Sequence, residues 1–461
     1  MKLRSINPYS GEVTREFDSS SYEACEEAVI RGKEAFASWR KLSVSERLKP
    51  VARLADILQE RKRKYAEIIT IEMGKPVKQA MAEMDKCVFA CDYYFENSEK
   101  FLQDELIESS AAQSYVTFEP LGVILGVMPW NFPFWQVIRW AVPTLIAGNV
   151  CLLKHASNVP ITAVELESVF REAGFPENAF QTLLIGPDMA ERLIEGNRID
   201  GISLTGSVAA GSRIGTLAGK QIKKLVLELG GSDPFLVFED ADLDKAVKTA
   251  VNSRTVNAGQ SCIAAKRAIV MEPVADEFVR KYLDALNALK IGDPMDENTD
   301  MGPVAREEFL KGLGAQLEDA KKKGAKVHYG PKPPEKGAFF RPVLLTDVTP
   351  DMLVVREEVF GPMIPVMTAR SEEEMIRIAN DTELGLGGAI WTRDIERGQR
   401  LAKEIQAGFV AINGITKSDP RLPFGGIKKS GFGRELSRYG LKEFVNVKTV
   451  IIGPVNPRPV R

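Results

Sequence analysis

Of the five cysteines in the chain (Cys25, Cys87, Cys91, Cys151 and Cys262), only Cys262 stands in a setting that suggests chemistry. It follows the small-residue stretch Asn257-Ala258-Gly259-Gln260-Ser261 and precedes two basic residues, Lys266 and Arg267. A thiol acts as a nucleophile when it is exposed, helped toward the thiolate and given partners for the later steps. A lone cysteine in a turn is more often structural, so the rest of the chain has to supply a base, an oxyanion donor and a ligand. There are only two histidines, His155 and His328. A Cys–His mechanism must use one of them. No cysteine pair combines with histidines at zinc spacing, so no metal site is expected.

Several other residues have suitable chemistry. Glu228 closes the apolar run from Lys224, where partial burial would raise a carboxyl toward the range of a general base. It fits an exposed strand end equally well. Asn131, in Pro129-Trp130-Asn131-Phe132-Pro133, is either a rigid amide able to donate to an oxyanion or an ordinary turn residue. Thr205-Gly206-Ser207 with Gly211 is a glycine turn opening a helix, a place that favours phosphate. Its spacing is not the usual dinucleotide fingerprint, and a Ser207 helix cap with glycines for packing explains it as well. Lys154 and Ser157 follow an apolar strand, where ligands gather in open α/β sheets. With no carboxylate at Ser157 they suit a phosphate, or a plain surface loop. Glu358 lies close to Phe360 before a turn. Arg139 is a lone cation in an apolar segment, and such a charge requires a partner, protein or ligand.

The elements that must hold these residues read as follows. Residues 19–100 are helical, with Ser21 a cap and mixed charges on solvated faces. Residues 114–128 are β-like. From there to Leu229 strands alternate with helices, which argues for a parallel sheet covered on both faces. Gly230-Gly231 breaks the pattern and a second α/β run follows to about residue 430, so a domain boundary is placed near 230. The loop 330–337 has the character of a linker. The tail 444–452 alternates as a strand able to add to the sheet edge of another subunit. Net charge is −2 and charged residues make up 27% of the 461, which gives no reason to expect a nucleic-acid partner. The longest apolar tract, 121–153, carries three prolines and Arg139 and fails as a membrane span. No apolar signal segment is visible at the N-terminus, and an odd number of scattered cysteines suits a reducing, cytoplasmic setting.

Taken together and in this order, these motifs resemble the aldehyde dehydrogenase superfamily. The residues that carry the likeness are Pro129-Trp130-Asn131-Phe132-Pro133, Thr205-Gly206-Ser207 with Gly211, Glu228-Leu229-Gly230-Gly231, Gly259-Gln260-Ser261-Cys262, Glu358-Val359-Phe360-Gly361-Pro362 and Pro423-Phe424-Gly425-Gly426 with Ser430-Gly431. Lys154-His155-Ala156, Gly230-Gly231-Ser232-Asp233-Pro234 and Ser418-Asp419-Pro420-Arg421 make it most similar to bacterial-type succinate-semialdehyde dehydrogenases. The resemblance implies an α/β fold in three parts. These are a Rossmann-like cofactor domain (1–100 and 121–229), an α/β catalytic domain (230–430), and small β oligomerisation elements (101–120 and 431–461) of a homodimer or homotetramer.

It further implies that Cys262 attacks an aldehyde, Asn131 stabilises the oxyanion, and Glu228 activates water to hydrolyse the thioester. Trp130, Lys154, Ser157, Gly206, Ser207, Gly211, Leu229, Glu358 and Phe360 would contact NAD or NADP. Family members specific for NAD often carry Glu where this chain has Ser157, so NADP is expected to be preferred. Arg139 and Ser418 would hold the distal carboxylate of succinic semialdehyde. A second arginine is missing, with Val256 in its place, and Asp419 would repel a carboxylate if it pointed inward unless Lys417 or Arg421 offset it. The alternatives are a broad-specificity aliphatic aldehyde dehydrogenase, a non-catalytic protein on the same fold, and a cofactor-free cysteine hydrolase.

Overall fold

The computed structural model describes residues 2–196 and 198–453. The chain begins with a hairpin, β1 (Lys2–Ile6) and β2 (Val13–Asp18). The sequence reading does not anticipate it, because Leu3 and Ser5 are its only buried strand positions. Helices α1 (Tyr22–Trp39), α2 (Val44–Glu60), α3 (Lys62–Met73) and α4 (Val77–Phe101) follow. Ser21 caps α1, accepting from Ala24 N–H at 3.1 Å, and Ser43 with Glu46 forms a capping box on α2.

After β3 (Glu105–Leu106) and β4 (Gln113–Pro120) the chain builds its first large sheet. The order along the chain is β5 (Val123–Met128), α5 (Pro133–Ile146), β6 (Val150–His155), α6 (Pro160–Glu172), β7 (Phe180–Thr182), α7 (Pro187–Glu195), β8 (Gly201–Thr205), α8 (Val208–Lys220) and β9 (Lys224–Glu228). The spatial order is β9-β8-β5-β6-β7, all parallel. It reverses direction between β5 and β8, and a crevice opens at the carboxyl ends of strands at such a point.

The expectation that the charges of residues 19–100 are solvated needs correction, because Glu72, Lys75 and Glu83 are buried. Glu83 accepts from the N–H groups of Phe134 and Trp135 at 3.0 Å each and pairs with Lys75. Glu72 does the same for Ile161 and Thr162 at 2.8 and 2.9 Å. α5 and α6 both begin with proline after an apolar N-cap, Phe132 and Val159, whose side chains cannot accept from the free N–H groups of the first turn. Carboxylates from the preceding helices satisfy them and seat both helices at the crevice.

The second large sheet uses β10 (Pro234–Val237), α9 (Leu243–Thr255), β11 (Arg267–Met271), α10 (Glu272–Asn287), α11 (Glu308–Lys322), β12 (Lys326–Tyr329), β13 (Val343–Thr346), β14 (Met363–Ala369), β15 (Leu384–Gly385), β16 (Gly387–Trp391) and β17 (Phe409–Ile412). β15 stands apart from the sheet, whose order is β12-β13-β14-β11-β10-β16-β17, parallel except for β12. Leu229 packs in the core of the first sheet, and Phe235 and Leu236 pack on opposite faces of the second. The segment 330–337 joins β12 to β13 within this sheet and links no separate units.

The last stretch returns to every part of the molecule. β18 (Ile427–Lys428) pairs with β15, and β19 (Gly431–Phe432) is the antiparallel edge of the first sheet, beside β9. β20 (Val445–Ile452) pairs with β4 from Val445↔Pro120 to Ile452↔Gln113. Within the segment from residue 431 onward, β20 joins the β3–β4 hairpin, whereas β19 belongs to the first sheet. A Cβ on Gly431 would stand 2.0 Å from the Leu227 carbonyl oxygen, and this glycine, at φ +112°, is what lets β19 close on β9. The terminal strand is paired within its own chain along one edge.

Candidate active site

Cys262 follows a turn of left-handed backbone. Asn257, Ala258 and Gly259 have φ of +54°, +50° and +75°, a region that two non-glycine residues in succession occupy only when their surroundings enforce it. Arg254, 1% exposed, does so. Its guanidinium donates to the carbonyls of Gly259 at 2.9 Å, Val359 at 3.0 Å, Ala265 at 3.4 Å and Gly361. A Cβ on Gly259 would lie 2.3 Å from the Gly361 carbonyl oxygen. Lys266 adds bonds to Glu358 at 2.9 Å and the Val359 carbonyl at 3.0 Å. The Cys262 turn and the Glu358–Gly361 loop are therefore one rigid piece.

Cys262 is half-buried and lines a cavity of about 440 Å³ at the carboxyl ends of β5, β8 and β9. Burial pushes its thiol up to about 12, against the pull of Arg139. Asn131, buried on the same wall, donates to the Gln260 carbonyl at 3.1 Å, and its backbone carbonyl accepts from Asn257 Nδ2 at 2.8 Å. One N–H of its amide is bonded, and the other has no acceptor among the described residues.

Glu228 departs from the sequence expectation. Its burial is complete, not partial, and neither carboxyl oxygen has a hydrogen-bond partner. Burial first, and Glu435 second, hold the carboxyl well above the usual range. It does not line the cavity. Oε1 lies 2.6 Å from where a Cβ on Gly425 would stand, so the side chain is seated against the glycine turn of 423–426.

Arg139, expected at the substrate carboxylate, is already paired. It is 2% exposed, bonds Glu435, donates to Thr205 Oγ1 at 3.2 Å and lies 4.9 Å over the Phe424 ring. A buried cation takes whichever anion the fold supplies, and here that is Glu435. Ser418 accepts from Trp135 Nε1 at 3.1 Å and from Lys86. Asp419 is held by Arg421 at 2.7 Å, so Arg421 does offset it. Val256 lies in a separate groove with Gln79 and Ala82.

Of the expected cofactor contacts, Trp130, Gly206, Ser207, Leu229, Glu358 and Phe360 all line the Cys262 cavity. Ser207 also caps α8, accepting from Ala210 N–H at 3.2 Å. Gly211 is off the cavity wall: a Cβ there would meet Leu229 Cδ1 at 2.4 Å, so the glycine lets α8 pack on Leu229. Lys154 and Ser157 stand outside the cavity wall, at the end of β6. Lys154 is 7% exposed, with burial lowering its ammonium to about 8, and it has no carboxylate or acceptor among the described residues. α11 contributes wall residues the sequence reading misses, chiefly Phe309, stacked on Trp130 at 4.9 Å. Phe360 meets Trp130 edge-on at 5.8 Å.

Neither histidine reaches Cys262. His155 is buried between the carbonyls of Pro133 at 3.0 Å and Met128 at 3.3 Å, and burial lowers it to about 4. His328 bonds Thr346 at 3.0 Å on β12. A Cys–His hydrolase is ruled out by this placement.

The chain matches the model of the aldehyde dehydrogenase family over residues 1–450. It is 49% identical over 453 residues to a probable NADP(+) succinate-semialdehyde dehydrogenase of Synechocystis sp., covering 98% of this chain and 100% of that one. It is 46% identical over 456 residues to an NADP(+) succinate-semialdehyde dehydrogenase of Mycobacterium tuberculosis, with coverage of 98% and 100%. Among solved structures, Gox0499 superimposes with a TM-score of 0.96 at 40% identity, covering 98% of this chain and 100% of that one. The succinic semialdehyde dehydrogenase of Streptococcus pyogenes, solved with NADP+ as cofactor, does so at 0.96 and 37%, with the same coverage.

Proposed function

The chain belongs to the aldehyde dehydrogenase family, and from that premise we propose that it oxidises succinic semialdehyde to succinate with NADP+. The observation that carries this reading is Cys262 lining one cavity with the Asn131 amide and the Gly206–Ser207 start of α8.

The residues fit a phosphorylated dinucleotide. Gly206 and Ser207 present the start of α8 to the cavity, Trp130 and Phe360 offer it aromatic faces, and Lys154 is a buried cation lacking an anion. Ser157 puts no carboxylate beside it to repel a 2′-phosphate. Bound there, NADP+ supplies a hydride acceptor.

The chain's own residues do the rest. Cys262 gives up its proton to water, its sulfur bonds the aldehyde carbon, and the carbonyl π pair moves onto oxygen. The free N–H of Asn131 and the Cys262 backbone N–H hold the oxyanion. Once hydride has left, the acyl group remains on sulfur as a thioester. Glu228 then takes a proton from water, whose oxygen displaces the thiol and frees succinate. For that step Glu228 turns away from Gly425 toward Cys262, leaving the buried seat that holds its carboxyl high, so that it acts as the carboxylate. Residues 1–100 and 121–229 serve the cofactor, and 230–430 carry the nucleophile.

The pairing of Arg139 with Glu435, together with Val256, favours a second reading, a broad-specificity aliphatic aldehyde dehydrogenase. A panel of aldehydes with NADP+ and NAD+, followed by absorbance of the reduced cofactor, separates the two. The first reading expects the highest kcat/KM for succinic semialdehyde with NADP+. Equal values for butanal favour the second, and a strong preference for NAD+ sinks the cofactor assignment.

We also place the enzyme in the cytoplasm as a homodimer or homotetramer. Among the described residues no helix is long and apolar enough to cross a membrane. Val447 and Ile451 of β20, 59% and 68% exposed, give its sheet an apolar face suited to a second copy.

A further inference from the structure

We propose that Lys86 binds the distal carboxylate of the substrate, beside the Ser418 that the family resemblance already implies there. This inference rests on the succinic semialdehyde reading. Arg139 and Glu435 neutralise each other, so the cation that recognises a free carboxylate has to come from elsewhere. Lys86 projects from the middle of α4 and donates to Ser418 Oγ. Its ammonium lies 4.3 Å over the Trp135 ring. Trp135 Nε1 donates to the same Ser418 oxygen at 3.1 Å.

The arrangement is built, but incomplete. Ser418, 6% exposed, accepts two hydrogen bonds, and its own proton has no acceptor among the described residues. Lys86 forms no ion pair with any described carboxylate. Its acidic neighbours are occupied: Glu83 by Lys75, Asp85 by Lys62 and Asp419 by Arg421. Burial, with Arg139 next, pushes the ammonium down to about 8, the mark of a cation short of solvent and counter-ion. Two donors, an ammonium and a hydroxyl, therefore converge on one point, a pairing that suits a carboxylate.

The position suits a short acid. Trp135 and Arg139 are four residues apart on α5 and share a face. Gln136, next to Trp135 on α5, lines the Cys262 cavity, and Thr416, two residues before Ser418, donates from Oγ1 to the carbonyl of Ile263, next to Cys262, at 3.0 Å. A four-carbon chain attacked at its aldehyde end by Cys262 would direct its carboxylate toward this pair. Lys86 thus supplies on α4 the positive charge that Val256 lacks.

The test compares kcat/KM for succinic semialdehyde and for butanal, which has the same chain length without the carboxylate. In Lys86→Met the ratio of the two should fall roughly ten- to hundredfold, the range of a lost hydrogen bond to a charged group. Lys86→Arg should keep most of the ratio, which guards against a fold defect. Ser418→Ala should lower it in the same direction, and the inhibition constant of succinate should rise in Lys86→Met. A wild-type preference for succinic semialdehyde that survives Lys86→Met overturns the role of Lys86 and leaves the functional reading intact. A wild type without that preference overturns both.

Discussion

Two residues govern the order of events at Cys262. With burial pushing the Cys262 thiol up to about 12, the protein without cofactor should hold little thiolate at neutral pH. Alkylation of Cys262 by iodoacetamide should therefore speed up about tenfold per pH unit through pH 9 without levelling off. The sign is fixed by the direction of the shift: a raised thiol value moves the plateau to higher pH. A plateau near pH 8, read by mass of the Cys262 peptide, would count against it. In the proposed mechanism Glu228 acts after hydride loss, so Glu228→Gln should release about one equivalent of reduced cofactor per site and then stall with an acyl group on Cys262. Rapid mixing and intact-protein mass check this, and unchanged steady turnover would remove Glu228 from the hydrolysis step. Cys262, Asn131 and Ser207 were visible in the sequence because each sits in a short motif with its own turn residues. Lys86, Arg254 and Phe309 were not, since their partners lie about 330, 105 and 180 residues away and no local spacing signals them.

Secondary-structure elements place these groups through contacts that are themselves specific. The left-handed turn before Cys262 persists because Arg254 and the Gly361 carbonyl leave it no alternative. Gly259→Ala should lower stability by about 2–4 kcal/mol and cut activity further still, because the added carbon displaces the Glu358–Gly361 loop. Thermal melting and kcat measure the two losses, and a variant close to wild type in both would show that the turn has room to relax. The alternation of strands and helices from residue 121 to 229 was legible because each run is apolar over the length of one element. Hairpin β1–β2 was hidden by its polar strands. The buried Glu72 and Glu83 were hidden for another reason: a glutamate on a helix looks solvated until the helix it caps, about 50 to 90 residues later, is in place.

At the scale of the molecule, two parallel sheets meet at residues 229–233, and residues 423–452 bind them to each other and to the hairpin. β20 carries its exposed apolar residues on an edge strand, an arrangement that soluble chains normally protect. If this face joins the proposed homo-oligomer, replacing Val447 and Ile451 together by lysine should split it into monomers on light scattering. An unchanged mass would place the interface elsewhere. The general two-sheet plan was readable from the repeated glycine break near 230. The return of β19 to β9 was not, because two-residue strands have no periodicity to detect.

That return has a consequence for how the molecule is made. Gly431 and Phe432 lie about 200 residues after the strand they cover, and Phe424 and Gly425 close over Arg139 and Glu228 only when they arrive. On a ribosome, residues up to Phe432 must emerge before Glu228 has its pocket, and contacts so distant in the chain form slowly. The edge of β9 waits uncovered in the meantime, open to pairing with a neighbouring nascent chain. Catalytic competence is thus the last property the protein acquires during synthesis, and arrested chains that end before Phe424 should be both inactive and prone to aggregate.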